Sequence, residues 1–198
     1  MPEEARTGRV APLARAAEAA GVRDARVLAA LQAVSRAGFV PLEHRPRADL
    51  DEPIPVPGEQ TANRPSLTAR MLEVLELDAH HRVLEIGSGF GFQTALLGLL
   101  TNEVWSIERR IDVARAARAN LSAHRIRNVH VVVADGAEGW REAAPFDAII
   151  VSTEFGEVPP ALLAQLAREG RLVQPSGGAD ASVAVFTSAK ASTEDAGD

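Results

Sequence analysis

The sequence predicts an α/β fold built on a doubly wound, mostly parallel sheet, preceded by an N-terminal extension of helices and loop. Three observations carry that expectation. From residue 82 onward, short apolar runs alternate with helical patterns, the arrangement that yields parallel strands joined by right-handed crossovers. The first run, Arg82-Val83-Leu84-Glu85-Ile86, breaks into Gly87-Ser88-Gly89-Phe90-Gly91 and re-emerges as an apolar helix over 94–100. Acids also stand at the ends of three successive strands, as Glu85, Glu108 and Asp135.

Taken in order, residues 1–9 look frayed, and 11–32 is rich in Ala, Leu and Arg, reading as helices broken at Gly21. Val27, Leu28, Leu31 and Val34 share a helical face. The stretch 35–41 is a helix stop. Residues 41–65 carry prolines at 41, 46, 53, 55 and 57, and an ordered loop of this length is seldom only a connection. Pro65-Ser66 opens a helix with Leu67, Met71, Val74 and Leu75 on one face. Thereafter the pattern predicts strand 82–86, helix 91–100, strand 103–108, helix 110–123, strand 129–133, strand 146–152, helix 159–168, strand 171–174 and strand 182–187. The small, acidic 189–198 tail reads as disordered. The expected organisation is 1–65 as helices and covering loop, 66–188 as the ligand-binding α/β domain, and 189–198 as tail.

Composition narrows the function. The chain has 198 residues, 46% hydrophobic and 24% charged, with net charge −6, as expected for one soluble domain. With no basic run, duplex nucleic acid is not the expected partner, because phosphate contacts need clustered Lys and Arg. Zero cysteines remove thiolate catalysis and zinc–cysteine sites, and His80-His81 has no ligand partner at metal spacing, so no metal is expected. No signal core or membrane-length apolar run is seen. The chain is therefore read as a cytoplasmic monomer with no membrane partner.

The glycine bend is the chemical centre of this reading. Glycine there permits positive φ and lets a ligand lie on bare backbone, and the following helix offers unpaired N–H groups. Glu108 falls 21 residues after Gly87, the usual separation for an acid that binds ribose hydroxyls. The spacing is G-x-G-x-G, not the G-x-G-x-x-G suited to a pyrophosphate. An adenosine joined to something other than a diphosphate fits better, and S-adenosyl-L-methionine, with its ribose diol and cationic tail, suits an acidic rim.

A longer set of motifs resembles one family. Arg36-x-x-Phe39-Val40-Pro41, Asp51-x-Pro53-Ile54-Pro55, Gln60-Thr61-x-x-x-Pro65 and Val83-Leu84-Glu85-Ile86-Gly87-Ser88-Gly89-x-Gly91 come first. Ser106-Ile107-Glu108-Arg109, Ala134-Asp135-Gly136, 146–151 and Gly170-Arg171-Leu172-Val173 follow in order. Over about 22–187 the chain resembles the protein-L-isoaspartate O-methyltransferases, class I methyltransferases with a Rossmann-like sheet. The resemblance implies carboxyl O-methylation of L-isoaspartyl residues in proteins or peptides, a protein-repair activity. It implies cofactor contacts from Thr61, Ala62, Asn63, Thr68, Glu85, Ile86, Gly87, Ser88, Gly89, Gly91, Glu108, Arg109, Asp135 and Gly136, with Asn63 and Thr61 at the catalytic position. Glu85 would hold the cofactor ammonium directly or through water.

The front of the chain departs from the family pattern. Asn63 replaces the serine of the family's Q-T-I-S-x-P loop, Pro57-Gly58-Glu59 stands where G-x-G is expected, Asp49 replaces a tyrosine, and a further C-terminal strand is not found beyond Thr187. These departures leave open a same-fold methyltransferase for another carboxylate, or a non-catalytic S-adenosylmethionine-binding relative. Asn63 is equally suited to orienting a carboxylate through its amide N–H groups and to capping the helix near Pro65.

Overall fold

The computed structural model describes residues 11–57, 60–152, 155–176 and 182–188; the expectations for 1–9 and for the 189–198 tail lie outside them. Two helices, α1 (Pro12–Ala19) and α2 (Ala25–Ala33), open the described chain. Asp24 caps α2 by accepting the N–H groups of Arg26 and Val27, and the Glu73 carboxylate accepts those of Arg23 and Asp24. Two short 3-10 turns, Arg36–Phe39 and Leu42–Arg47, lead to a small antiparallel hairpin of β1 (Ile54–Val56) and β2 (Gln60–Ala62). The prolines of this region thus sit in turns and at strand edges, where the lost N–H costs nothing.

Helix α3 (Pro65–Val74) then feeds β3 (Arg82–Ile86), α4 (Phe92–Leu100), β4 (Glu103–Glu108), α5 (Ile111–Ala123), β5 (Val129–Val133), β6 (Phe146–Val151), α6 (Pro160–Leu163), β7 (Leu166–Ser176) and β8 (Ser182–Thr187). The six-stranded sheet has the order β5-β4-β3-β6-β7-β8, all pairs parallel except β7 with β8. Strand order reverses between β3 and β6, the point where open sheets of this kind leave a crevice at the strands' carboxyl ends.

The central strands are buried on both faces, as parallel strands must be. Val83, Val104 and Ile150 face one layer, where Leu13, Ala17, Val27, Leu31 and Met71 join them in a single core. Segments on either side of residue 65 therefore share that core. Leu84, Ile86, Ile107 and Ile149 face the other layer, with Phe146 and Leu162. Among the described residues no helix is long and apolar enough to cross a membrane.

One element differs from expectation. In place of a helix over 159–168, α6 stops at Leu163 and the chain enters an 11-residue strand at Leu166. The Gln165 carbonyl accepts the N–H of Phe146 at 2.9 Å, starting a ladder whose register then jumps, Leu166 facing Phe146 and Arg171 facing Ala148. Pairing with β6 overrides the helical spacing of Leu162, Leu163 and Leu166.

Candidate active site

At the carboxyl end of β3 the chain turns through Gly87, Gly89 and Gly91, all at positive φ. Gly87 is required twice: at φ +90°, and because an added Cβ would lie 3.3 Å from the Cβ of Ser152. A Cβ on Gly89 would instead point into open space. That space is a cavity of about 560 Å³, within the range that holds a cofactor-sized ligand. Ile86, Gly87, Ser88 and Gly89 form one wall, Glu108, Arg109, Asp135 and Gly136 a second, and Thr61, Ala62, Asn63 and Thr68 a third.

The acids are arranged unequally. Glu108 ends β4, nearly buried, and its carboxylate accepts the N–H of Gly89 at 3.2 Å and of Arg110 at 3.0 Å. It thereby ties the glycine bend to the strand tip while still facing the cavity. Asp135 lies just past β5, exposed, accepting the Ala137 N–H at 3.0 Å. Gly136 packs so tightly that a Cβ would lie 2.4 Å from Ile86 Cγ2.

Glu85 breaks the expected row. It pairs with Ser106, two residues below the tip of β4. It is fully buried, and it does not line the cavity. Its carboxylate accepts hydrogen bonds from Ser106 Oγ, Thr94 Oγ1 and, at 3.0 Å, Gln93 Nε2. Burial pushes its pKa from 4.5 up to about 7, against the pull of those three donors. Direct contact between Glu85 and a cofactor ammonium is therefore corrected: its oxygens are spent inside the protein. Gly91 is corrected as well. It is the left-handed N-cap of α4 and packs towards Leu121 and Phe39, so its glycine serves helix packing, not the cavity wall.

The front loop is held by Arg36, whose side chain is buried and whose guanidinium donates to the carbonyls of Leu50, Glu52 and Asn63 at 3.3, 3.1 and 3.1 Å. Burial lowers the Arg36 pKa to about 10, with Asp51 and Glu52 opposing the fall, so the cation persists at neutral pH. Asp51 accepts the Ser66 N–H at 2.8 Å at the start of α3. The N-cap position itself is Arg64, so Asn63 does not cap that helix. Its Nδ2 instead donates to the Ser152 carbonyl at 3.0 Å, latching the loop to the end of β6.

Reasoning from the sequence passed over several residues of this cavity. Arg36 and Phe39 were visible only as motif letters, and Gln93, Ser152, Phe155 and Pro175 not at all. Gln174 holds Phe155 by exchanging hydrogen bonds with its backbone at 3.2 and 3.0 Å. The one available signal was position: Ser152 follows an apolar strand directly, where ligand-facing residues of open sheets gather. Trp140 does not border the cavity; its ring stacks on Trp105 at 6.0 Å.

The cavity also holds an orphan. Ser88 Oγ is buried without a hydrogen-bond partner among the described residues, an arrangement that a ligand with polar atoms would repair. Together with the bare backbone at Gly89 and the acids at two strand tips, it fits an adenosyl amino acid.

Comparison with known proteins agrees with this geometry. The profile of the Protein-L-isoaspartate(D-aspartate) O-methyltransferase family matches residues 10–195. The chain is 48% identical over 161 residues to the protein-L-isoaspartate O-methyltransferase of Anaeromyxobacter dehalogenans strain 2CP-1, covering 81% of this chain and 77% of that one. It is 43% identical to that of Koribacter versatilis, covering 79% and 71%. A solved protein-L-isoaspartate O-methyltransferase superposes with a TM-score of 0.75 at 29% identity, over 88% of this chain but only 58% of that longer one. A Plasmodium falciparum structure in complex with S-adenosyl-L-homocysteine superposes at 0.76 and 21% identity, a likeness of fold, over 91% and 90%. With a family profile spanning nearly all of the chain, and relatives near half identity over most of it, the chain belongs to the protein-L-isoaspartate O-methyltransferase family.

Proposed function

We propose that the cavity binds S-adenosylmethionine and that the protein transfers its methyl group to the carboxylate of L-isoaspartyl residues in proteins or peptides. The observation that carries this reading is the single cavity shared by the glycine bend and the front loop Thr61–Asn63. The family membership and the names of the relatives point the same way.

Each wall has a task on this reading. Glu108 accepts the ribose hydroxyls, and Asp135 with the Gly136 N–H reads the adenine edge. Gly87 and Gly89 let the amino-acid end lie on backbone, with Ser88 Oγ donating to it. Ile86 and Arg109 border the adenosine, and Thr61, Ala62, Asn63 and Thr68 close over it. When bound, the cofactor supplies a methyl group already activated on a sulfonium sulfur. A substrate carboxylate is ionised at neutral pH, its pKa near ~4. One of its oxygens attacks the methyl carbon while the carbon–sulfur pair stays with sulfur, giving an ester and a thioether. No proton moves, so no general base is needed, and no histidine is among the residues lining the cavity. What the protein contributes is alignment and exclusion of water, which is the work of the Arg36 clamp and the Asn63 latch.

The test pairs an isoaspartyl peptide with its aspartyl counterpart in the presence of labelled S-adenosylmethionine. Base-labile label on the isoaspartyl peptide alone is expected. Saturable binding of S-adenosylhomocysteine with no label on either peptide would overturn the choice of acceptor. Absence of any binding would overturn the whole reading.

A further inference from the structure

Asn63 stands where the loop motif of this family carries a serine, and its amide is turned aside to hold the Ser152 carbonyl. The loop at this position therefore offers the acceptor no hydroxyl. A different hydroxyl lies against the same cavity. Ser152 follows β6 directly, its backbone N–H continuing the ladder to Ile86 at 2.9 Å. Its Oγ receives a hydrogen bond from Gln93 Nε2 at 2.9 Å.

The direction of that bond decides where the Ser152 proton goes. Gln93 Nε2 has two hydrogens, and its other acceptor is Glu85 Oε1. A carboxylate oxygen facing the amide requires the NH₂ end there, since the carbonyl end would meet it lone pair to lone pair. The orientation holds in both protonation states of Glu85, because the second oxygen, Oε2, sits with Thr94 and Ser106 hydroxyls that can take a proton's hydrogen bond by rotating. Gln93 must therefore present a donor to Ser152 Oγ. The serine hydrogen is left to point elsewhere, and it has no acceptor among the described residues. Gly87 leaves room for this side chain, since a Cβ there would lie 3.3 Å from the Ser152 Cβ.

We propose that the Ser152 hydroxyl donates a hydrogen bond to the substrate carboxylate, aimed by Glu85 acting through Gln93. The proposal rests on the methyltransferase reading above and names the group that grips its acceptor. One carboxylate oxygen is held by Ser152 while the other faces the methyl carbon. Ser152 contacts substrate in this account, while Glu85 and Gln93 are positioning residues.

The experiment compares Ser152→Ala, Ser152→Val and Ser152→Thr in the full chain, measuring kcat/KM for an isoaspartyl peptide and the Kd of S-adenosylhomocysteine. One hydrogen bond to a charged group corresponds to about a 10- to 100-fold effect. Ser152→Ala and Ser152→Val are expected to lose that much kcat/KM with Kd within about twofold of the parent, and Ser152→Thr to recover most of the loss. Gln93→Ala should lower kcat/KM in the parent and have no further effect in the Ser152→Ala background. Unchanged kcat/KM in Ser152→Ala, or a loss matched by an equal rise in Kd, overturns the role of the hydroxyl. Additive effects of Gln93→Ala and Ser152→Ala overturn the aiming. A parent protein that binds S-adenosylhomocysteine but methylates no isoaspartyl peptide overturns the choice of an isoaspartyl acceptor, and the proposal with it, whatever the Ser152 variants do.

Discussion

Replacing Glu85 by Gln removes a carboxyl group that is fully buried and off the cavity wall, and the consequence is a pH dependence with a definite sign. In the folded chain the Glu85 pKa is raised from 4.5 to about 7, mainly by burial, while Ser106, Thr94 and Gln93 pull it down and the Glu108 charge pushes it further up. The folded state therefore holds this proton more tightly than the unfolded chain does. Below about pH 4.5 both states are protonated and Glu85 costs nothing; between about 4.5 and 7 the unfolded chain ionises first and stability falls; above 7 the cost is complete. At about 1.36 kcal/mol per pH unit, the interval corresponds to about 3 kcal/mol. For a domain of this length that is about 6–12 °C in Tm. Glu85→Gln cannot ionise, so its Tm relative to the parent should rise by that amount between pH 4.5 and pH 8, read by thermal unfolding without ligand. The constant cost of exchanging a carboxylate for an amide among three donors cancels in this comparison. A Tm difference between the two proteins that is equal at pH 4.5 and pH 8 would refute the argument.

Three further outcomes follow from the site. Gly136→Ala must displace Ile86 or the 135–137 turn, because its Cβ would lie 2.4 Å from Ile86 Cγ2; a loss of about 1–3 kcal/mol in stability and at least about tenfold weaker S-adenosylhomocysteine binding are expected by urea unfolding and calorimetry, and parental values would contradict the packing argument. Arg36→Lys keeps the charge but cannot reach three carbonyls with one ammonium; losing two of the three bonds should cost about 3 kcal/mol and expose 48–57 to limited proteolysis, and a parental digestion rate would count against the clamp. Glu108→Ala frees the Gly89 N–H as well as removing the proposed ribose acceptor, so S-adenosylhomocysteine Kd should rise about 10- to 100-fold, while the exposed Asp112→Ala should leave it unchanged; equal affinity in both variants would exclude Glu108 from the ligand.

Much of the cavity was legible because its signals are local. Strands 82–86, 103–108 and 129–133 lie where the apolar runs end, and the bend at Gly87–Gly89 is written in residues that tolerate positive φ. What escaped the sequence depends on partners far along the chain. Glu85 sits next to the bend, but strand alternation turns it away from the layer of Leu84 and Ile86, and only the packing of α4 and the pairing with β4 show that Gln93, Thr94 and Ser106 consume it. Gly91 carries the motif's third glycine yet answers to Phe39 and Leu121, supplied by two other segments. Asn63 finds its partner at Ser152, 89 residues on, so no inspection of 60–65 separates a latch from a helix cap. The end of α6 has the same cause, since Phe146 claims the Gln165 carbonyl.

The strand order divides the labour of the cavity. On one side of the reversal between β3 and β6, the tips of β3, β4 and β5 bring Gly87, Glu108 and Asp135, a backbone cradle and two carboxylates suited to a diol, an adenine and a cationic tail. On the other side, β6 and β7 bring Ser152, Phe155 and Pro175, a hydroxyl in an apolar surround suited to gripping a carboxylate and shedding its water. Gln93, rising from α4, joins the two halves through Glu85 and Ser152, and Asn63 ties the front loop to the second half alone. On the proposed reading, cofactor affinity is therefore set by β3–β5 together with the covering front loop, and acceptor turnover by β6–β7. A departure confined to the front loop, such as asparagine for serine, then alters how the acceptor is held while leaving the strand-tip groups of the adenosyl side, Gly87, Glu108 and Asp135, in place.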